Sequence, residues 1–274
     1  MMPWGCRFEG VSALWERTSP ILHGLDLTID MAQTALLPLM GPSGAGKSTL
    51  LYVMAALKWP TQGTVHWSFP AALQQQDGPI PTYTWGPEGL SAEQAVQLRR
   101  RYFGFAFQDS TLSPHLRIVE NITYPLLLQG LHRQLATQLA ITVLQSVLLP
   151  SELASYAKIM GRFPTQLSGG QRQRVALAQA MIHNPYVLFA DEPSGNLDLA
   201  ARRQVMWVLK KWVQEGQGQR CLVWVTHHMD DPALMGVDRL LYVENQTCQP
   251  ETQGQLQQRE QDIRNSDCAY EDLP

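Results

Sequence analysis

No stretch of about 18 uncharged apolar residues occurs in the 274-residue chain, so no membrane-spanning helix is expected. Neither sign of charge dominates. Lys and Arg number 21 against 24 Asp and Glu, a formal net charge of -3, without the basic excess that marks a nucleic-acid partner. Cysteine is sparse: Cys6, Cys221, Cys248 and Cys268 are widely spaced and no C-x-x-C occurs. They are expected to be free thiols of a reducing compartment, since a chain of this length needs no disulfide staples. Met1–Val11 carries Arg7 and Glu9 and no apolar h-region, so a secretory leader is not expected. The sequons at Asn121 and Asn245 are then without consequence. No internal repeat is visible. What is present is ordinary for a globular protein: 45% apolar and 16% charged residues, enough for a sizeable core in one large domain or two small ones.

Along the chain, Arg7–Trp15 and Leu25–Ile29 suit short strands. Ala35–Met40 is a compact apolar run ending at Gly41, the pattern of a buried parallel strand feeding a loop, although Pro38 within it would remove a ladder hydrogen bond. A helix follows over Lys47–Leu57. Phe69–Gly89, rich in Gln, Pro and Gly, suits a loop or small hairpin. Ser91 with Gln94 forms a capping box opening a helix to Arg101. Phe103–Phe107 is a strand, and 118–147 is mostly helical with breaks expected near Pro125 and Gly130. A helix at Gly170–His183, the apolar run Tyr186–Ala190, a helix at Leu199–Val213, and strands at Cys221–Val225 and Arg239–Glu244 complete the pattern. Gln246–Pro274 is polar and Gln-rich and is expected to be a weakly ordered tail. Arg99–Arg101, Arg202–Arg203 and Lys210–Lys211 suit solvated helix faces. The alternation implies an α/β fold with a parallel sheet.

Gly41-Pro42-Ser43-Gly44-Ala45-Gly46-Lys47-Ser48-Thr49 fits G-x-x-x-x-G-K-[ST] between a strand and a helix. Glycines let the backbone curl so that N–H groups point at phosphate oxygens, and the helix start adds its positive end. Lys47 suits the β- and γ-phosphates, and the Ser48 hydroxyl suits Mg²⁺.

Asp191 and Glu192 end an apolar strand, on the side where open α/β sheets bind ligands. Asp191 suits Mg²⁺ and Glu192 suits a general base, though by themselves they would equally open a turn before Pro193. Asp198 suits a helix N-cap. Gln108 at a strand end and His227 after Thr226 have ordinary structural readings of their own. Adjacent His227 and His228 would point to opposite sides of a strand, which argues against a shared metal.

With Leu167-Ser168-Gly169-Gly170-Gln171 lying between the two nucleotide motifs, the chain resembles the ATP-binding-cassette family of ATPases over about Cys6 to Glu244. The resemblance implies a P-loop NTPase core with a mostly parallel sheet, an N-terminal antiparallel β subdomain and an α-helical subdomain inserted at about 109–167. The cassette would span residues 1–245, with a loop insertion at about 69–89 and a tail at 246–274. It implies ATP and Mg²⁺ as ligands, Gly41–Thr49 as the Walker A loop, Val187–Asp191 as the Walker B strand, and Glu192 as catalytic base. Gln108 becomes the Q-loop residue on Mg²⁺ and water, Ser194–Asp198 the D-loop, His227 the switch histidine, and Trp15 the ring stacking on adenine. Ser168, Gly169, Gly170 and Gln171 become the signature that meets a nucleotide held by a second subunit.

Finer runs look like the branch containing the ATPases for lipoprotein release, macrolide efflux and the cell-division permease. These are Leu90–Gln94 with Arg99–Arg101, Phe103–Gln108, Glu120–Ile122, Pro125–Gly130 and Asp191–Asp198. The resemblance implies an integral-membrane permease as partner, a second cassette, and a place at the cytoplasmic face of the membrane, with no nucleic acid. Departures from the family are Thr34 and Ala35 in place of Gly-Glu, Pro38, Gln179 in place of arginine, and the long Phe69–Gly89 segment. Two other readings stay open at this level: a soluble cassette acting on nucleic acid or ribosomes, and a slowly hydrolysing ATP-dependent scaffold.

Overall fold

The computed structural model describes residues 4–15, 20–70, 82–107, 111–195, 197–259 and 261. Two sheets organise them. The first has four strands in the order β2-β1-β4-β5, formed by β1 (Gly5–Ala13), β2 (Leu22–Asp30), β4 (Gln62–Ser68) and β5 (Thr82–Trp85), all antiparallel. The second has six: β3 (Leu36–Met40), β6 (Phe103–Ala106), β7 (Val187–Asp191), β8 (Cys221–Val225), β9 (Arg239–Glu244) and β10 (Thr247–Thr252). Their order is β10-β9-β3-β8-β7-β6, parallel except for β10. The α/β architecture with a mostly parallel sheet and a separate antiparallel sheet is the one the resemblance implies.

β7 and β8 are buried along their whole lengths, as strands covered on both faces must be. Their side chains divide with the two-residue period of a strand. Val187, Phe189, Cys221, Val223 and Val225 join Leu50, Val53 and Trp67 in a core beneath the antiparallel sheet. Leu188, Ala190, Leu222 and Trp224 face a second core built with helices. Those helices are α3 (Ile118–Leu128), α4 (Arg133–Val147), α5 (Tyr156–Gly161), α6 (Gly169–Met181) and α7 (Leu199–Glu215). Three further helices are α1 (Lys47–Met54), α2 (Ala92–Arg101, with the expected Ser91 capping box) and α8 (Asp231–Met235).

Several local expectations are corrected. Pro38 sits in a central strand without breaking its main pairing. Ala35 and Leu39 accept backbone bonds from Leu222 and Thr226, so the odd-numbered residues turn toward β8 and Pro38 turns toward β9. Pairing with β9 begins only at Leu39, so no donor is demanded of Pro38. Pro125 lies inside α3 and does not interrupt it. The carbonyl it deprives of a donor belongs to Asn121, four residues back, and Gln179 Nε2 donates to that oxygen at 3.0 Å. Gln179 Oε1 in turn accepts from Thr111 Oγ1 at 2.8 Å. Arg202 is not on a solvated face: it is buried against Asp231.

The tail expectation fails over its first part. Arg239–Glu244 is followed by β10, and residues 253–259 are helical. Leu256 buries itself beside Met40 and Leu240. Arg259 pairs with Glu251 at 2.8 Å and Glu244 at 3.1 Å, and lies over the Tyr242 ring. An antiparallel edge strand plus one buried leucine orders a segment whose composition looks like a linker. Of the Phe69–Gly89 stretch, β5 forms a hairpin arm against β4, and residues 71–81 lie outside the described residues. Cys6, Cys221 and Cys248 are free thiols.

Candidate nucleotide site

β3 delivers the chain to the loop Gly41–Gly46 and α1 carries it away. A β-carbon at Gly41 would lie 2.1 Å from the Val243 carbonyl oxygen of β9, so only glycine lets the loop leave the sheet there. Gly46 is the residue preceding α1, at φ 102 in the left-handed region, and no side chain caps this helix. The amides of its first turn are therefore available to an anion, with the positive end of the helix behind them. Ile21, Ser43, Gly44, Gly46, Lys47, Ser48, Thr49 and Glu192 line a cleft of about 310 Å³ here.

Lys47 is buried, its ammonium donating to the carbonyls of Gly41 at 2.9 Å and Pro42 at 2.7 Å. Burial lowers its pKa, against the raising influence of Glu192 and Asp191. Asp191, at the C-terminal end of β7, accepts from Ser48 Oγ on Oδ1 at 3.0 Å and from Tyr52 Oη on Oδ2 at 2.9 Å. Desolvation raises the Asp191 pKa, while the two hydroxyl donors act to lower it. The Tyr52 pKa is pushed up to about 12, chiefly by burial and then by Asp191, so its hydroxyl remains a donor. Ser48 and Asp191 offer neighbouring hydroxyl and carboxylate oxygens, the hard donors that Mg²⁺ takes.

Glu192 adopts φ 47, an uncommon conformation for a residue with a side chain. Its amide donates to the Val225 carbonyl at 3.1 Å, and its Oε1 stands 3.2 Å from His227 Nδ1. His227 is half exposed and lines a neighbouring hollow with Gly41 and Pro42. The chain has left β8 by this point, so His227 and His228 do not point to opposite sides: their rings lie 4.1 Å apart at 38°. Beneath them, Thr226 Oγ1 donates to Asp231 Oδ2, and Arg202 Nε donates to Asp231 Oδ1 at 2.8 Å. The His228 amide donates to Thr226 Oγ1 at 3.1 Å. This buried network ties the histidine loop to α7.

Trp15 is 57% exposed, leaving ring surface for a planar ligand. Its indole N–H donates to Thr49 Oγ1 at 2.8 Å, and Lys58 Nζ covers one face at 4.2 Å. Gln108 and Asn196 lie outside the described residues. Asp198 caps α7, its Oδ1 accepting from the Ala201 amide at 2.9 Å.

Ser168 caps α6 reciprocally with Gln171. Gln171 Nε2 donates to Glu152 Oε1 at 2.8 Å, and Arg174 grips both Glu152 oxygens at 2.9 Å. Burial alone would raise the Glu152 pKa. Donors from Leu149 and Gln171, together with the Arg174 charge, bring it below the ordinary carboxylate value. Ser168, Gly169, Gly170 and Gln171 are not among the residues lining the cleft of their own chain.

Thus Lys47, Ser48 and Glu192 line one cleft, Asp191 is bonded to Ser48 and His227 stands beside Glu192, and the signature segment starts a helix elsewhere. Sequence reasoning missed Tyr52, Arg202, Asp231 and Glu152 as parts of the site. For Tyr52 a signal existed, since it stands one helical turn beyond Ser48 and so on the same face of α1.

Residues 22–195 match the family model described as ABC transporter. Among curated proteins, the chain is 36% identical over 221 residues to the lipoprotein-releasing system ATP-binding protein LolD of Legionella pneumophila, covering 81% of this chain and 85% of that one. It is 34% identical over 241 residues to the macrolide export ATP-binding/permease protein MacB of Syntrophobacter fumaroxidans, covering 87% of this chain but 30% of that longer one. Among solved structures, the dimeric post-hydrolysis state of the ATP-binding cassette MJ0796 bound to ADP and Pi superimposes with a TM-score of 0.72. The identity there is 27%, over 90% of this chain and 98% of that one.

Proposed function

Since the chain belongs to the ABC transporter family, and is an ATPase of that family, we propose that it works as a head-to-tail pair driving a lipoprotein-release or efflux permease from the cytoplasmic face of a membrane. The observation that carries the pairing is the division of the site. The phosphate loop and Glu192 line one cleft, with Asp191 bonded to Ser48 and His227 beside Glu192, while Ser168–Gln171 neither line it nor bond to the residues that do. The signature then meets a nucleotide only across a second copy, in the manner the dimeric cassette supports.

In this reading the loop amides and Lys47 hold the ATP phosphates, and Trp15 stacks on adenine. Ser48 and Asp191, with Gln108, hold Mg²⁺, which neutralises phosphate charge when bound. Glu192 accepts a proton from the attacking water, and His227 orients Glu192 and donates toward the transferred phosphoryl oxygens. Ser168 Oγ and the first-turn amides of α6 other than that of Gln171, which Ser168 caps, complete the partner's site. The cassette runs past residue 245 to include β10, and the helical segment at about 109–167 passes the closing motion to the permease. No helix among the described residues is long and apolar enough to cross a membrane. The names of the LolD and MacB relatives support the choice of permease.

The experiment is purification of the tagged chain from detergent-solubilised membranes. A stoichiometric permease with few transmembrane helices and a large external domain is expected. A many-helix importer would overturn the branch, and ribosomes or nucleic acid in place of a membrane protein would overturn the transport role.

A further inference from the structure

Tyr52 touches three parts of the nucleotide site at once. Its hydroxyl donates to Asp191 Oδ2 at 2.9 Å. Its ring meets Trp15 edge-on, centroids 6.2 Å apart at 81°, and meets Phe107 edge-on at 5.9 Å and 84°. Phe107 immediately precedes Gln108. On α1, Ser48 and Tyr52 are one turn apart, and each fills one oxygen of the same carboxylate. Two bonds from one helix fix both the position and the plane of Asp191.

A bare carboxylate at a strand end would rotate freely about its terminal torsion. With Oδ2 committed to Tyr52, Oδ1 is aimed at the Ser48 hydroxyl, where a cation held by both would sit. We propose that Tyr52 is a positioning residue for the ATPase reaction. It orients Asp191 toward the metal–nucleotide complex through its hydroxyl, and seats Trp15 through its ring. This rests on the nucleotide reading of the cleft given above. The two functions are chemically separable, because phenylalanine keeps the ring and loses the hydroxyl.

The test uses the full chain and Mn²⁺ as a spectroscopic probe, with its binding to the protein–ADP complex followed by electron paramagnetic resonance. ADP affinity is measured separately without metal. Tyr52→Phe is expected to weaken Mn²⁺ binding roughly 10-fold, the scale for loss of a group that orients a metal ligand, with metal-free ADP affinity unchanged. Tyr52→Ala is expected to weaken metal-free ADP binding as well. Unchanged Mn²⁺ affinity in Tyr52→Phe, or an equal loss of metal-free ADP affinity in that variant, would overturn the inference. If the wild-type chain binds ADP tightly, the reading of the cleft stands whatever Tyr52 does. If it binds neither ADP nor Mn²⁺–ADP, that reading falls and the inference with it.

Discussion

At the residue scale, the cleft separates two acids that are adjacent in sequence. Asp191 turns toward Ser48 and Tyr52 and is desolvated. Glu192, one residue on, is swung by its positive φ toward His227. A strand alone would send the two side chains to opposite faces; the turn after β7 instead gives both a place at the cleft, one suited to a cation and one to a water. Replacing Glu192 by Gln keeps the shape and removes the base. Turnover is expected to drop about 10²–10⁴-fold with ATP affinity retained, measured by phosphate release and nucleotide binding. Near-normal turnover would reject Glu192 as the base. The motif residues were legible from sequence because phosphate and metal chemistry restricts which residue types serve, at spacings set by one loop. Tyr52 offered only its spacing of one helical turn from Ser48, since its partner Asp191 is 139 positions away and tyrosine in a helix has no obligatory role.

At the scale of elements, two buried ionic clusters tie working segments to the scaffold. Asp231 is fully buried between Arg202 of α7 and Thr226 of the histidine loop. Removing one member of a buried pair leaves the other charge unpaired, at a cost of roughly 3–5 kcal/mol. Asp231→Ala is therefore expected to lower stability by that order, read by denaturant unfolding; a change within the ordinary surface range of about 0.5 kcal/mol would contradict it.

The second cluster joins Glu152, ahead of α5, to Gln171 and Arg174 of α6. The folded-state pKa of Glu152 is depressed below its ordinary value of 4.5. Its stabilising contribution is thus complete above that value and is lost as pH falls through the lower folded-state value. Glu152→Gln is expected to lower the Tm near neutral pH, with the gap to wild type closing as pH falls below 4.5. A gap constant with pH would contradict the charge assignment. Neither cluster was visible in the sequence: Arg202 beside Arg203 suggested a solvated pair, and only the packing of α7 on α8 shows that one is inside. Pro125 misled for a related reason, its lost bond being made good by Gln179, 54 positions on in the chain. β10 was missed because an edge strand needs only one paired side, and its polar composition resembles a linker.

At the scale of the whole molecule, the alternation of strands and helices was legible, because buried parallel strands such as β7 and β8 are unbroken apolar runs. The placement of the signature helix relative to the cleft was implied only by the family resemblance, since it depends on how α6 packs in three dimensions. That placement is the centre of the account: one chain holds a cleft lined by Glu192, the proposed base, and a separate helix start outside that cleft. ATP should therefore join two chains while hydrolysis separates them. The most direct measurement is the mass of purified Glu192→Gln protein by light scattering, with and without ATP. The account predicts a monomer without nucleotide, a dimer with ATP, and a monomer again when Ser168→Arg blocks the signature. Protein that stays monomeric at saturating ATP, or whose ATP-induced dimer survives Ser168→Arg, would contradict it.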